Sequence, residues 1–441
     1  MRTRIASASA LLVCAAVHAP LGAQKAPRVR LLNLPSAASK TVFGSVTTVR
    51  QLLNGGVLVN DVGKRQLVLL DSSLATASVV LDSSTAGNSY GPRGGALIPY
   101  GDSTLFVDGA SLSMLVLSPS GAIARVMSVP RSQDAPSLVN PAFGSPGFDG
   151  KGRLVYRTPV RSALPPITMG ASNAQTFSMP EQPDSAAVVA IDLVTRKSDT
   201  LGYFKIARTK MNITRTDAGA TLMPEINPLQ AVDEWAVLPN GSIVIVRGRD
   251  YHVDRLAADG KITSNPKIPY EWQRLTDEDK VAVIDSAKTA YDRLRAAGPA
   301  AAARAAEMGF ATGTRIAVGG GGADGMRSAL EGARAGAANA TAVLPPATFV
   351  TASELPDYRP VFVGPMAVRG DADGNLWVRT TATRQGAIAG PIYDVINPKG
   401  ELIDRVQVPA GRTIAGFGTG GAVYLTSRDD GGVKVERAAI R

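Results

Sequence analysis

Cysteine and histidine are almost missing from this sequence. Its 441 residues include one cysteine, Cys14, and two histidines, His18 and His252. Cys14 and His18 both fall in an N-terminal segment that reads as a leader. Arg2 and Arg4 supply its positive end, an apolar, alanine-rich run extends from Ile5 to Val17, and Leu21-Gly22-Ala23 offers small residues for cleavage. Residues 1–23 are therefore expected to be a secretory signal peptide cut near Ala23. Val13 directly before Cys14 makes a poor lipidation signal. The mature chain would carry no thiol and only His252, which excludes disulfides, thiol catalysis and any zinc site built from two or three histidines. Aromatic residues are also scarce, at 5%. The formal charge of +10 is scattered, with no basic run and no interleaved aromatics, so nucleic acid is not an expected partner. No other long apolar run follows, so no transmembrane segment is expected in the mature chain. The leader and the alanine-rich composition point to a bacterial periplasmic or secreted protein.

What the chain does have is turns. Its 45 glycines and 29 prolines favour many short strands over helices. A hairpin signature recurs: an apolar strand, a polar-glycine turn, then a β-rich strand. It appears at residues 51–60, 98–107, 147–156, 236–246, 368–378 and 414–424. Gly55, Ser103 and Lys151 mark its first three turns at intervals of 48 residues, and Asn375 and Gly421 lie 46 apart. A second hairpin follows each copy, as in Gln66–Asp71 with Ala77–Leu81. Four antiparallel strands at this period make a propeller blade. The expected fold is all-β, a six-bladed β-propeller over residues 28–441. The sixth unit runs out one strand short at the C-terminus, while Arg28–Leu34 is a spare strand at the other end. Ring closure by that N-terminal strand, beside Val433–Ala438, would remove the open edges.

Three interruptions break the period. Residues 158–185, rich in Pro, Ser, Met and Gln, read as a loop insertion in blade 3. Residues 207–228 read as a loop excursion. Residues 271–357 form a helical and Ala/Gly-rich insertion after blade 4. Within the last, Leu275 to Ala297 is a helix: Thr276 and Asp279 form a shortened capping box, acidic residues fill the first turn, and Gly298-Pro299 ends it. Val281, Ile284, Lys288, Tyr291 and Leu294 are expected along its packed face. Residues 300–347 offer few large side chains and are expected to be poorly ordered, with weak helices at most at Ala300–Met308 and Gly325–Ala338.

Several short motifs read as structure. Gly320, Gly322 and Gly325 have dinucleotide-loop spacing, but Pro345 and Pro346 stand where the second strand of a βαβ unit would run, so a glycine-rich linker is the better reading. Asp371-Ala-Asp373-Gly374-Asn375 resembles the opening of a calcium loop, yet Trp377 and Val378 lead straight into a strand, as a turn requires. His252 has Asp250 and Asp254 beside it and could pair with either.

The turns at Leu238-Pro-Asn-Gly-Ser-Ile-Val and Gly370-Asp-Ala-Asp-Gly-Asn-Leu-Trp-Val, with Asp394-Val-Ile-Asn-Pro-Lys-Gly after them, resemble six-bladed propellers of the NHL and TolB-like type, including exported bacterial ones. That resemblance implies a binding role toward a protein, glycan or small-molecule ligand. Ligands usually meet such rings at the channel mouth, lined by the innermost strands. The polar residues expected there are Arg50, Arg93, Asp233, Glu234 and Arg369. Some relatives by fold are lactonases that hold a divalent cation in the channel with Glu, Asn and Asp. Asp233, Glu234 and Asn140 are the residues this chain offers, with the other ligand positions unmatched. No residue cluster in the sequence identifies a reaction. The expectation is an exported binding or interaction propeller. A metal-dependent, lactonase-like hydrolase and a structural envelope-associated protein are the alternatives.

Overall fold

The computed structural model describes residues 26–84, 89–92, 94–159, 183–208, 210–216, 219–257, 259–298, 344, 346–382 and 390–440. Six antiparallel sheets form a ring. Blade 1 holds Val46–Gln51, Val57–Asp61, Gln66–Leu70 and Ala77–Leu81. Blade 2 holds Gly95–Tyr100, Ser103–Asp108, Ser113–Leu117 and Ile123–Ser128. Blade 3 holds Gly147–Phe148, Leu154–Arg157, Ser185–Ile191 and Ser198–Lys205. Glu234–Val237, Ile243–Arg247, His252–Leu256 and Ile262–Ser264 make blade 4. Val368–Gly370, Leu376–Thr380, Ile392–Ile396 and Leu402–Gln407 make blade 5. Arg412–Gly418, Ala422–Asp429 and Gly432–Ala439 supply three strands of blade 6.

Burial follows from this layout. The second strand of each blade is covered on both faces by its neighbours, and its residues are accordingly Val, Leu, Ile and aromatics in near-continuous runs. Val57–Asp61 is buried throughout, whereas most of the outermost strands Ala77–Leu81 and Ile123–Ser128 and all of Ile262–Ser264 are exposed or nearly so. Trp235 and Trp377 are wholly buried in the apolar layers between blades. The ring is tight where blade 6 meets blade 1: a Cβ on Gly416 would overlap the Val49 carbonyl oxygen, so only glycine fits there.

The N-terminal segment closes the ring, but with a different stretch from the one expected. Ala37–Ala38 is the fourth strand of blade 6, antiparallel to Gly432–Ala439, and Phe43 extends the pairing in both directions with Val433. Val29–Leu31 instead runs parallel to Leu402–Gln407 as a fifth strand on blade 5. Arg30 explains the preference. Its Nε donates to Asp404 Oδ2 at 2.8 Å on blade 5, and its Nη1 donates to the Ile440 carbonyl at 2.7 Å on blade 6. Pro35 falls between the two strands, where the chain passes from one blade to the next. The segment thus clasps two blades, and the blade count of six stands.

The insertions also depart from expectation. Within residues 207–228, Lys210–Thr216 and Gly219–Ile226 form a β-hairpin rather than a loop. Thr348–Phe349 adds to it in parallel, making a small seventh sheet. The helix spans Asp277–Ala296, with the Thr276–Asp279 capping box in place. It packs on that sheet through Ile284, Tyr291 and part-buried Val283 and Leu294. Val281 and Lys288, expected on the packed face, are exposed. Buried Lys280 replaces them, since its ammonium reaches Asp357 at 2.9 Å. The glycine-rich motif at 320–325, both weak helices and most of the 158–185 loop lie outside the described residues.

Candidate functional site

The first strands of the blades form the innermost ring, touching one another from blade 6 through blade 1 to blade 5. Each blade is antiparallel, so first strands begin and second strands end on the same face of the ring. All the long interruptions attach to that face. Residues 160–182 and 383–389 link second to third strands in blades 3 and 5, and the two large crossings join blade 3 to 4 and blade 4 to 5. This sector of the face, from blade 3 to blade 5, is where the chain departs most from a minimal propeller.

Of the residues expected in the channel, two are tied into the joints between blades. Arg50 reaches from blade 1 to blade 2, donating Nε to Thr104 Oγ1 at 2.8 Å and Nη2 to the Ser103 carbonyl at 3.0 Å. Burial pulls its pKa down to about 10. Asp233 is occupied from several sides. It accepts from the Lys205 and Gly248 backbone N–H groups and pairs with Arg247 Nη1 at 2.8 Å. Arg93 lies outside the described residues.

Glu234 and Arg369 belong to a different setting. Glu234 opens the first strand of blade 4, is 8% exposed, and has its charged form favoured by the Met366 backbone N–H. Met366 itself sits at a φ of 63°, a conformation costly for a non-glycine residue. Arg157 and Arg379 are each the fourth residue of their second strands, in blades 3 and 5, and act electrostatically on Glu234 from either side. Arg379 in turn acts on Arg369. Arg157 of blade 3 and Arg379 of blade 5 thus act on one acid, Glu234 of blade 4, and Arg369 is a neighbour of Arg379. Sequence reasoning missed Arg157 and Arg379 because it searched only the first strands. The available signal was an arginine directly after three apolar residues, Leu154-Val155-Tyr156 and Leu376-Trp377-Val378.

The electrostatics of this group are unusual. Burial outweighs the pull of both arginines and of the Met366 N–H, so the Glu234 carboxyl is pushed up to about 8, with Asp233 adding to the rise. Burial likewise lowers the pKa of Arg157 and of Arg369. The Arg157 guanidinium lies 4.7 Å from the Phe143 ring centroid and 5.8 Å from that of Phe204. Its Nε is buried without a hydrogen-bond partner. Among the described residues no hydrogen bond or ion pair is made by the side chains of Arg369 or Arg379. Other part-buried arginines do meet a carboxylate: Arg153 with Asp149, Arg405 with Asp394, and Arg412 with Glu436.

The remaining candidates are structural. Asp371 caps its turn by accepting from Asp373 N, Asn375 N and the Trp377 indole. His252 places Nδ1 2.9 Å from Asp250 and Nε2 3.2 Å from Asp254 on the third strand of blade 4, with both ring nitrogens engaged. A polar cavity of about 310 Å³ lies beside the hairpin sheet. Lys210 there pairs with Glu225 and Glu354, and Gln230 with the Arg208 backbone. Among the described residues no three His, Cys, Asp or Glu side chains converge as a metal site would require. Asn140 accepts from Ala142 N, and Glu234 is flanked by cations. No helix among the described residues is long and apolar enough to cross a membrane.

Six-bladed propellers are the solved structures that this chain resembles. No family model and no curated protein matches it. Regucalcin, a calcium-binding protein from Agrobacterium tumefaciens, is 12% identical, with 94% of this chain and 98% of that one covered and a TM-score of 0.36. A streptogramin B lyase is 9% identical over 92% and 86% of the two chains, with a TM-score of 0.34. TolB from Acinetobacter baumannii is 11% identical over 85% of this chain and 59% of that one, with a TM-score of 0.29. At this distance neither activity nor ligand carries over.

Proposed function

We propose that this chain is an exported binding propeller that takes a ligand at the channel mouth in the sector of blades 3 to 5. One observation supports the reading above all. Among the described residues Arg157 and Arg379, which act on one largely buried Glu234, make no hydrogen bond to a carboxylate, and neither does Arg369 beside Arg379. Charged groups left in this state are a burden to folding, since desolvation is not offset by pairing. Residues 1–23 read as a leader, which supports export. The insertions that rim this face would enlarge a binding surface without disturbing the ring.

The test is a thermal-shift screen of the mature protein against a mixed set of metabolites and oligosaccharides, repeated with Arg379→Gln. A ligand that raises the melting temperature of the parent and not of the variant supports the reading. Hits unaffected by that change, or none at all, count against it.

A further inference from the structure

We infer that the cavity beside the hairpin sheet is a second binding site, for a zwitterionic α-amino acid with a small polar side chain. The inference does not depend on the channel-mouth reading.

The cavity belongs to the insertions and not to the ring. Its volume of about 310 Å³ is near the lower end for small-molecule sites. One wall comes from residues 208–230, in the crossing between blades 3 and 4. The other comes from residues 350–354, in the crossing between blades 4 and 5. Thr348–Phe349 joins the two crossings by pairing in parallel with Glu225 and Ile226. The blade strands pair among themselves without either wall, so the ring does not require this hollow.

The charged groups that line it are held in place. Gln230 grips the Arg208 backbone twice, accepting from its N–H at 2.8 Å and donating to its carbonyl at 2.8 Å. Glu354 Oε2 accepts from the Thr351 N–H and hydroxyl, each at 2.9 Å, while its Oε1 lies 3.5 Å from the Lys210 ammonium. Lys210 stands opposite Glu225 across the hairpin, with Nζ 3.0 Å from Oε1. Contact with Glu225 raises the Lys210 pKa, and the Thr351 N–H lowers that of Glu354, so both stay charged at neutral pH. Arg208 Nη2 lies 3.4 Å from Asp184 Oδ2, a loose ion pair.

Two cations and two carboxylates thus share one hollow, and this balance selects the ligand. A net anion would meet Glu225 and Glu354, and a net cation would meet Arg208 and Lys210. A sugar would find no aromatic ring to stack on among the described lining residues, and an apolar molecule would find only Val350. A zwitterion answers both signs at once. Its carboxylate takes the guanidinium fork of Arg208, and its ammonium joins Glu354. Asn227, whose Oδ1 accepts from the Leu229 N–H, offers its amide NH₂ to a polar side chain.

The experiment is calorimetric titration of the full mature protein with L-glutamine, L-serine and L-leucine. Two analogues of glutamine each lack one charge: N-acetylglutamine has no ammonium, and glutaminamide has no carboxylate. Parent, Arg208→Gln, Glu354→Gln and the channel variant Arg379→Gln are compared, with melting temperatures as the check on folding. The expected result is binding of glutamine or serine, tighter than leucine. It should weaken about tenfold or more for both analogues, as loss of a charge-assisted hydrogen bond predicts. Arg208→Gln and Glu354→Gln should weaken it similarly, and Arg379→Gln should leave it unchanged. The analogues are read on the parent, so they decide the matter even where a variant fails to fold. Analogues that bind as well as glutamine overturn the inference, as does a lack of binding by all three amino acids. Binding lost in Arg379→Gln and kept in Arg208→Gln also overturns it, and assigns the ligand to the channel mouth instead.

Discussion

Tyr251 of blade 4 donates its hydroxyl to Asp394 Oδ2 of blade 5 at 2.9 Å, in the buried joint between the two blades. Asp394 also receives Arg405 Nε at 3.1 Å on its other oxygen. Tyr251→Phe keeps the ring's packing and removes one charged hydrogen bond. It should destabilise the protein by about 1.5–3 kcal/mol in urea melts, without change in the slope of the transition. An unchanged midpoint would show that the bond contributes nothing net.

Glu234 should make stability depend on pH. Its folded pKa of about 8 lies above the value near 4.3 expected in the unfolded chain. The folded state therefore holds the proton longer, and stability from this group is full below about pH 4.3. It is lost as pH rises toward 8 and then levels off. Glu234→Gln fixes the neutral form. Its advantage over the parent should grow across that window to roughly 3–5 kcal/mol. Melting temperatures of both proteins from pH 4 to 9 decide this, and a constant difference would refute it.

Truncation separates the two N-terminal strands. Removing residues 24–34 takes away Arg30 and the buried Leu32 but leaves the closing strand. It should lower stability by about 2–5 kcal/mol, the range for losing a buried leucine, while unfolding stays cooperative. Removing residues 24–43 also strips the Ala37–Ala38 pairing and Phe43, which is 2% exposed, from blade 6. That protein should lose a single sharp transition and self-associate through the bared edge of Gly432–Ala439. Calorimetry with sedimentation checks both.

The insertion can be weakened by itself. Ile284→Ala empties the small core formed with Leu229, Leu275, Val350 and Leu355, and should cost about 2–4 kcal/mol locally. Thr276→Ala removes the cap and should cost about 1 kcal/mol. Hydrogen exchange should quicken in the helix and in Thr348–Phe349, with the blade strands unchanged. Faster exchange throughout the ring would mean that insertion and propeller unfold together.

The ring was legible in the sequence because each blade repeats the same local chemistry. Apolar runs, Asn-Gly or Asp-Gly turns and a fixed period are readable without knowing what packs on what. The closing strand was harder to place. Arg28–Leu34 is the more strand-like stretch by propensity, but the ion pair of Arg30 with Asp404, 374 residues away, decides its partner. The hairpin at 210–226 was hidden by scattered polar and glycine residues. The helix face was misjudged at Lys280 because a lysine becomes a packed residue only when an acid such as Asp357 waits at its end. Glu234 and Arg369 were found by assuming a ring. Arg157 and Arg379 were not, because nothing local shows that the ends of second strands in blades 3 and 5 approach the start of the first strand in blade 4.

The clasp between Ala37–Phe43 and Gly432–Ala439 also sets a timetable. Almost the whole polypeptide must be made before its last-built sheet can accept the partner made first. Until then blade 6 has an open side and the cylinder has a seam. The ring thus stays open at this one joint through most of synthesis, and its final zip waits for the last strands to be made.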